Sequence, residues 1–251
     1  MFLLNQLKAL KSVDIWQKTF HKIKNPQTLH ICGVNPGFLS FLISSFYVAQ
    51  PDRIFLLVCQ DPEIAETFYA NIQSFLPDSV FLFPEKDVHL PPDHPIQEKE
   101  IKRVKTLAGI DEKKTGVVVT SIQAISVLLP SVTDFLSHII EIKVGIEIPR
   151  SKLIARLVAY GYEEVSVVEN PGEFCRRGGI IDFFPFGENP VRIEFSGDTV
   201  QSLRTFDVQT QMSTGKINVC TLLSLNESFI SIENNSTIFD YLNTNTLPFV
   251  Y

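Results

Sequence analysis

Residues 171–185 of the chain read PGEFCRRGGIIDFFP, and residues 191–198 read VRIEFSGD. Both stretches are rich in β-branched and aromatic residues, and turn-forming glycine, proline, asparagine or aspartate bounds each of them. The pattern extends in both directions and predicts the strands Glu164–Glu169, Glu173–Phe184, Val191–Phe195, Val200–Phe206 and Ile217–Leu225. Short strands at this spacing predict a compact antiparallel β-sheet.

One helix accompanies this predicted sheet. It begins at Ser151, just after the sequence changes character at Pro149, and Gly161 can end it by adopting a left-handed conformation. Its apolar positions recur on one face, at Leu153, Ile154, Leu157 and Val158. We therefore expect one helix to pack on the sheet.

Upstream of Pro149, short β-rich runs alternate with helical patterns. The predicted strands are Thr28–Cys32, Ile54–Cys59, Val80–Phe83, Gly116–Thr120 and His138–Val144. The helix after the second strand begins clearly, because Asp61 can accept an amide N–H and Pro62 suits the first helical position. The predicted fold class is α/β, a domain with a parallel sheet, joined to an antiparallel β-rich (α+β) domain.

The two ends of the chain also give expectations. Residues 230–251 predict a strand, a short helix around Ile238–Leu242 and a further strand at Pro248–Tyr251. Because that strand is still running at Tyr251, we expect a truncated piece of a longer protein. The N-terminus lacks the features of a signal peptide, and the most apolar stretch, Gly37–Ala49, is too short for a membrane span. We expect a cytoplasmic location and no membrane partner.

Composition narrows the function classes. The net charge of −6 makes the chain a poor DNA-binding protein on its own, since phosphate binding needs clustered lysine and arginine. The four cysteines are far apart and form no metal-binding motif, which fits a reducing compartment. His89 and His94 flank a proline-rich loop without a ligand partner, so we predict no metal site.

The first predicted strand is followed by GVNPGFLS and a helix, which is where a phosphate-binding loop would lie. A working loop needs a glycine, a lysine and a hydroxyl at its end, to cradle phosphate and hold magnesium. In register from Gly33, the second glycine is replaced by Phe38 and the lysine by Leu39. Only Ser40 keeps its motif residue, in a loop that also contains Gly37. We predict that nucleotide binding is lost or very weak.

The most specific feature is a resemblance. It is carried by Gly161–Val165, Pro171–Pro185, Val191–Asp198 and Leu203–Asp207. These segments resemble, in order and spacing, the domain shared by the excision-repair protein UvrB and the transcription-repair coupling factors (Mfd). The resemblance implies that this inserted domain docks onto the damage-recognition protein UvrA.

Within that resemblance, Arg177 aligns with an arginine that the family uses at the UvrA interface. Arg176 and Phe174 are the other predicted partner-binding residues, with no catalytic residue among them. Adjacent strand residues point to opposite faces, so one of the two arginines is expected to face solvent. An ordinary surface salt bridge is the alternative role for this pair. The sequence departs from the family pattern at Glu163, Glu164 and Cys175.

Two acidic residues of the same region, Asp182 and Glu194, have a simpler interpretation. They lie in neighbouring predicted strands, and the sequence places no isolated pair of acidic residues in one pocket. We therefore expect Asp182 and Glu194 to be cross-strand charge partners of Arg192 or Arg177.

The flanks resemble the coupling factors more loosely, at Phe83–Pro84, Arg103 with Leu107, Val117–Ile125 and Thr237–Leu242. This predicts a degenerate helicase-like domain at residues 1–148, the inserted domain at 149–226 and a return into the first domain at 227–251. The resemblance implies a non-catalytic adaptor without a cofactor. ATP, Mg, RNA polymerase and DNA would bind to translocase and other domains absent from this chain.

Two alternatives remain open at this point. A UvrB-like excision-repair helicase fragment would keep residual nucleotide or DNA binding, although the altered loop speaks against it. Direct binding of RNA polymerase by these residues has no sequence feature in its favour.

Overall fold

The computed structural model describes residues 12–14, 16–18, 33–86, 98–185, 188–224, 236–242 and 244–251. The chain divides into two compact units, Met1–Pro92 with Lys105–Leu129 and Ser236–Tyr251, and Asp93–Val104 with Pro130–Asn235. The elements described are α1 Pro36–Ala49, β1 Ile54–Cys59, α2 Pro62–Phe75, β2 Val80–Phe83, α3 Glu98–Lys113, β3 Gly116–Ser121, α4 Ile122–Ile125, α5 Val132–Ser137, β4 Ile140–Lys143, α6 Arg150–Ala159, β5 Glu163–Glu164, β6 Glu173–Arg177, β7 Ile180–Phe183, β8 Val191–Ser196, β9 Thr199–Phe206, β10 Ser213–Ile217, β11 Val219–Leu222, α7 Ile238–Tyr241 and β12 Leu247–Val250.

The first unit contains a parallel sheet with the strand order β12-β1-β3-β2. Strands β1 and β3 are buried along their whole length, because they lie inside the sheet and are apolar on both faces. Helices α1 and α2 pack against the sheet through Leu42, Phe46, Phe68 and Ile72. As predicted, Asp61 caps α2 by accepting the amide N–H of Ile64 at 2.9 Å.

The sequence located β1, β2 and β3 to within a residue, whereas Thr28–Cys32 lies outside the described residues. The predicted strand His138–Val144 was assigned to the wrong sheet. Its observed part, β4, pairs antiparallel with β11 in the second unit. Only Ile142 of β4 is buried, so this strand covers a core with one face and lacks the two buried faces of an inner parallel strand.

The second unit contains a six-stranded sheet in the order β10-β9-β8-β7-β6-β5. All its pairings are antiparallel except β5 with β6, which are parallel. Leu153 and Leu157 of α6 join a core that includes Phe174, Phe183 and Ile193. The predicted β-rich domain with one packed helix is thus confirmed in outline, and Gly161 follows α6 with a φ of 88°.

Two predicted strands are each two strands in the structure. Residues 173–184 form the hairpin β6–β7, with Gly178 and Gly179 as the turn and a φ of 58° at Gly178. A positive φ breaks the extended conformation, and glycine adopts it without strain. Residues 217–225 contain the end of β10 and then β11, which belongs to another sheet.

Within the described residues, no helix is both long and apolar enough to cross a membrane. Cys59, Cys175 and Cys220 are free and buried.

Candidate protein-docking site

The β6–β7 hairpin carries the arginines that the sequence pointed to. Strand β6 ends at Arg177, which pairs with Ile180 across the turn, while Arg176 pairs with Ile181. Alternation along the strand puts Phe174 and Arg176 on the face that covers the main core, and Cys175 and Arg177 on the opposite face. The hairpin therefore presents one arginine on each face of the sheet, next to its turn.

Arg177 is exposed, and its Nη2 donates a hydrogen bond to the carbonyl of Ser166 at 3.1 Å. Among the residues that the structure describes, no carboxylate forms an ion pair with it. No described acid of the same unit therefore compensates its positive charge. A guanidinium in this state can pair with a carboxylate from another molecule.

Arg176 is also exposed, so the expectation of a single solvent-facing arginine was wrong. Its side chain is 60% exposed and its Nε lies 2.6 Å from Oε1 of Glu164, whose side chain is 40% exposed. Arginine can reach solvent from a buried face because its long stem covers apolar surface while the charged end extends outward. Arg176 thus differs from Arg177 in having an acid partner within the chain.

Phe174 cannot present its ring to a partner in this conformation. The side chain is 0% exposed and lies in the core with Ile181 and Phe183. Its predicted role as a contact residue is therefore replaced by a packing role, which supports the strand that carries the two arginines.

Sequence reasoning missed Arg150, the first residue of α6. Its Nη1 donates a hydrogen bond to the carbonyl of Gly178 at 2.8 Å, so a third guanidinium lies at the hairpin turn. Its backbone N–H donates to Oδ1 of Asp198 at 3.3 Å. The available hint was the basic first turn of α6, with Arg150 and Lys152 and no acid, where helices usually favour acidic residues.

The carboxylates near the hairpin are engaged differently from one another. Oε2 of Glu173 accepts the amides of Glu169 and Asn170 at 2.7 Å and 2.8 Å, and Oε1 accepts Nδ2 of Asn170 at 2.9 Å. Burial alone would raise the pKa of Glu173, but these hydrogen bonds outweigh it and the pKa is lowered. Glu173 therefore stays charged and fixes the turn that precedes β6.

Asp182 and Arg192 confirm the expectation of a cross-strand pair. They face each other in neighbouring strands β7 and β8, with Nε to Oδ1 at 2.7 Å and Nη2 to Oδ2 at 2.8 Å. The guanidinium of Arg192 also lies 4.9 Å from the ring centre of Phe206. The hydrogen bonds to Asp182 raise the pKa of Arg192, so the guanidinium keeps its charge.

For Glu194 the expected partner was wrong, because it pairs with Arg204 of β9 at 3.2 Å. Its Oε2 also accepts the hydroxyl of Ser202 at 2.8 Å. These two ion pairs give the sheet face around Cys175 a structural network. Arg177 shares this face but has no acid partner in the network.

The predicted phosphate loop folds as an ordinary capped helix start. Oδ1 of Asn35 accepts the amide of Phe38 at 2.8 Å, and Pro36, which has no N–H, begins α1. Leu39 is buried in the core, while the ring of Phe38 is 49% exposed. Ser40 is fully buried and donates to the carbonyl of Pro36 at 2.7 Å. Gly33 has a φ of 75°, and a Cβ at Gly37 would lie 3.4 Å from Oδ1 of Asn35.

The remaining candidate sites gain no support. Within the described ranges, no group of three histidine, cysteine or acidic residues is arranged to hold a metal ion. His89 and His94 lie outside those ranges. The arginines at the β6–β7 turn are thus the best-supported candidate site.

Comparison with known proteins agrees with this location. Residues 140–227 match the family model described as the UvrB interaction domain, a range that includes β4 and β11 as well as the six-stranded sheet. This range covers the second-unit strands but not the parallel sheet. The family match therefore supports the assignment of β4 to the second unit.

Named relatives extend the similarity to most of the chain. The transcription-repair-coupling factor of Staphylococcus epidermidis RP62A is 30% identical over 82% of this chain and 18% of its own length. That of Staphylococcus aureus USA300 is 28% identical over 87% of this chain and 19% of its own length. The chain thus spans about a fifth of the length of the relatives it matches. Residues 140–227 therefore match the UvrB interaction domain, and most of the chain is similar to a part of the transcription-repair-coupling factors.

Proposed function

We propose that the module predicted at residues 149–226, together with β4, docks onto UvrA and so links this chain to nucleotide excision repair. Residues 1–148 and 227–251 would form the degenerate helicase-like domain that carries it. The observation that carries the proposal is Arg177, exposed and without a carboxylate partner among the described residues of a UvrB interaction domain. In this role the chain is an adaptor within transcription-coupled repair.

The chemistry of the hairpin supports a protein partner. A guanidinium offers a planar fork of N–H donors that matches a carboxylate in bidentate geometry. Arg177 donates one hydrogen bond to the Ser166 carbonyl, and its guanidinium has further N–H groups that can donate to a partner. The hairpin that holds it is anchored by Phe174, which is fully buried. A preorganised side chain loses less conformational entropy on binding than a free one.

The direct test is titration of purified UvrA with this chain, followed by calorimetry or fluorescence anisotropy. Saturable association is the expected result. A matched control is Lys216→Ala, which removes one exposed positive charge from β10 at the opposite edge of the same sheet. The variant is expected to bind like the parent chain. A folded parent chain that fails to associate with UvrA would exclude the docking function.

We further propose that the loop at residues 33–40 no longer binds nucleotide, so that these residues act without enzymatic activity. Leu39 occupies the lysine position and is buried, and the Ser40 hydroxyl already donates to the Pro36 carbonyl. Neither side chain can reach a phosphate or a magnesium ion without leaving the core. These contacts argue against the alternative of a UvrB-like helicase fragment.

A fluorescent ATP analogue with Mg²⁺ tests this second proposal. The expected result is no saturable binding at micromolar concentrations. Saturable micromolar binding would favour the helicase-fragment alternative and contradict a function as an adaptor only. The UvrA titration would still test docking independently.

The longer relatives imply further activities for the protein as a whole. ATP-driven translocation on DNA and displacement of RNA polymerase would belong to regions beyond the matched fifth of their length. We propose that RNA polymerase, DNA, ATP and Mg bind those regions. A pull-down of RNA polymerase by this chain alone is expected to be negative, and capture of polymerase would contradict the assignment.

A further inference from the structure

Positive charge is concentrated at one place in an acidic chain. The net charge is −6, yet the turn at Gly178 is flanked by Arg176 and Arg177 in β6 and is contacted by Arg150. Lys152 is exposed in the same first turn of α6 as Arg150. Like charges that gather without a structural need raise the free energy of the folded state, so their concentration requires an explanation.

The three guanidinium groups are not equivalent. Arg176 is paired with Glu164 at 2.6 Å. Arg150 donates to the backbone carbonyl of Gly178, and Arg177 donates to the carbonyl of Ser166 and also interacts with the thiol of Cys175. Within the part of the chain that the structure describes, neither forms an ion pair with a carboxylate. A guanidinium has five N–H donors, so each of the two has more donors than these contacts use.

The location of Arg150 has a cost for folding. It is the first residue of α6, whose first turn contains no acid and whose N-cap, Pro149, offers no side-chain hydrogen bond. The partial positive charge at a helix N-terminus disfavours cations there. Arg150 is held there by its hydrogen bond to the Gly178 carbonyl, and a cation that occupies an unfavourable helix position is a candidate for a functional role.

We propose that Arg150 is a second docking contact, which together with Arg177 forms a two-charge site for carboxylates on an acidic surface of the partner. This inference rests on the proposed docking function and adds to it the chemistry of the partner surface. A protein partner is favoured over nucleic acid because Arg150 and Arg177 both lie within the range that matches the UvrB interaction domain.

The test compares Arg150→Ala, Arg150→Glu and Arg150→Lys with Arg177→Ala and the Lys216→Ala control in titrations of UvrA at low and high salt. Arg150→Ala is expected to weaken binding about tenfold and to make the affinity less dependent on salt, because one screened charge pair is lost. Arg150→Glu should weaken it further. Arg150→Lys should retain part of the affinity, since the charge stays and the fork is lost.

Thermal unfolding separates a lost contact from a lost fold. An acidic residue is favoured at the start of a helix, so Arg150→Glu is expected to keep a melting temperature close to that of the parent chain while it loses affinity. Equal losses for Ala and Lys with an unchanged salt dependence would mean that Arg150 only positions the turn, and this would overturn the inference.

Two other outcomes distinguish this inference from the docking function itself. If Arg177→Ala weakens binding and Arg150→Ala does not, Arg150 is no contact, but the docking function stands. If the parent chain does not bind UvrA at all, the docking function fails, whatever Arg150 does. Binding of a short DNA duplex that is lost in Arg150→Ala, with UvrA binding unaffected, would assign the charges to nucleic acid and overturn the inference.

Discussion

Asp182 is 1% exposed and is joined by two hydrogen bonds to Arg192, its direct neighbour across strands β7 and β8. Removal of one partner from a buried ion pair leaves the other charge uncompensated, which is strongly destabilising. We expect Asp182→Ala to lower the free energy of unfolding by about 3 kcal/mol. Urea denaturation of the Asp182→Ala variant and of the parent chain measures this change.

The matched control for that prediction is Glu194→Ala. Glu194 of β8 pairs with Arg204 of β9 on the same face of the sheet, but both side chains are about 40% exposed. Exposed pairs contribute about 0–1 kcal/mol, so this variant should be nearly as stable as the parent. Equal effects of the two substitutions would contradict the special role of the buried pair.

Arg177→Ala is expected to weaken the association with UvrA by about 1–3 kcal/mol, the usual loss when a charged hydrogen bond is removed at an interface. The side chain is exposed and has no acid partner within the described residues, so the fold should be unaffected. Calorimetric titration gives the affinity, and circular dichroism verifies the fold. Unchanged affinity in the folded variant would remove Arg177 from the docking site.

Glu164→Gln should strengthen the association by roughly two- to fivefold, the range expected for one exposed charge pair. The substitution releases Arg176 from its ion pair and removes one negative charge next to the hairpin. Glu163→Gln, on the same strand, is the control, because it removes the same charge without releasing Arg176. If both variants gain equally, the effect comes from net charge and Arg176 makes no contact.

The lowered pKa of Glu173 leads us to expect that the free energy of unfolding depends on pH. Its pKa in the folded chain is lowered from the ordinary value of 4.5, so the folded state holds the proton less tightly than the unfolded state. The resulting stabilisation is complete above pH 4.5 and is lost as the pH falls through the folded-state pKa. Glu173→Gln should therefore melt below the parent at pH 7, and this difference should shrink below pH 4.5. A difference that is constant with pH would contradict this role.

The sequence predicted the parallel strands well, because β1 and β3 are continuous apolar runs whose burial on both faces leaves little ambiguity. It failed where the decisive contact is distant in the chain. Strand β4 reads like the other strands, and only its pairing with Val219–Leu222 assigns it to the second unit. Gly178, within a run of strand-forming residues, was passed over as a turn.

The candidate site also contains residues that the sequence reveals and residues that only the fold reveals. Arg176 and Arg177 are recognisable from their motif, and their exposure follows from their position at the end of β6. Arg150 belongs to no motif. Only the folded chain brings its side chain to the carbonyl of Gly178, 28 residues further along the chain. Phe174 lies two residues before Arg176 on the same face of β6, but its apolar ring is fully buried in the core, whereas the longer side chain of Arg176 reaches solvent.

The parallel sheet of the first unit has a consequence for how the chain is made. Strand β12 pairs with β1 from Phe55–Leu247 to Val58–Val250, although the whole second unit is encoded between them. A ribosome releases β1 early and β12 late, so the earlier domain cannot close its sheet until the later one has been synthesised. The second unit can therefore mature first, on a nascent chain whose first unit still has an open strand edge.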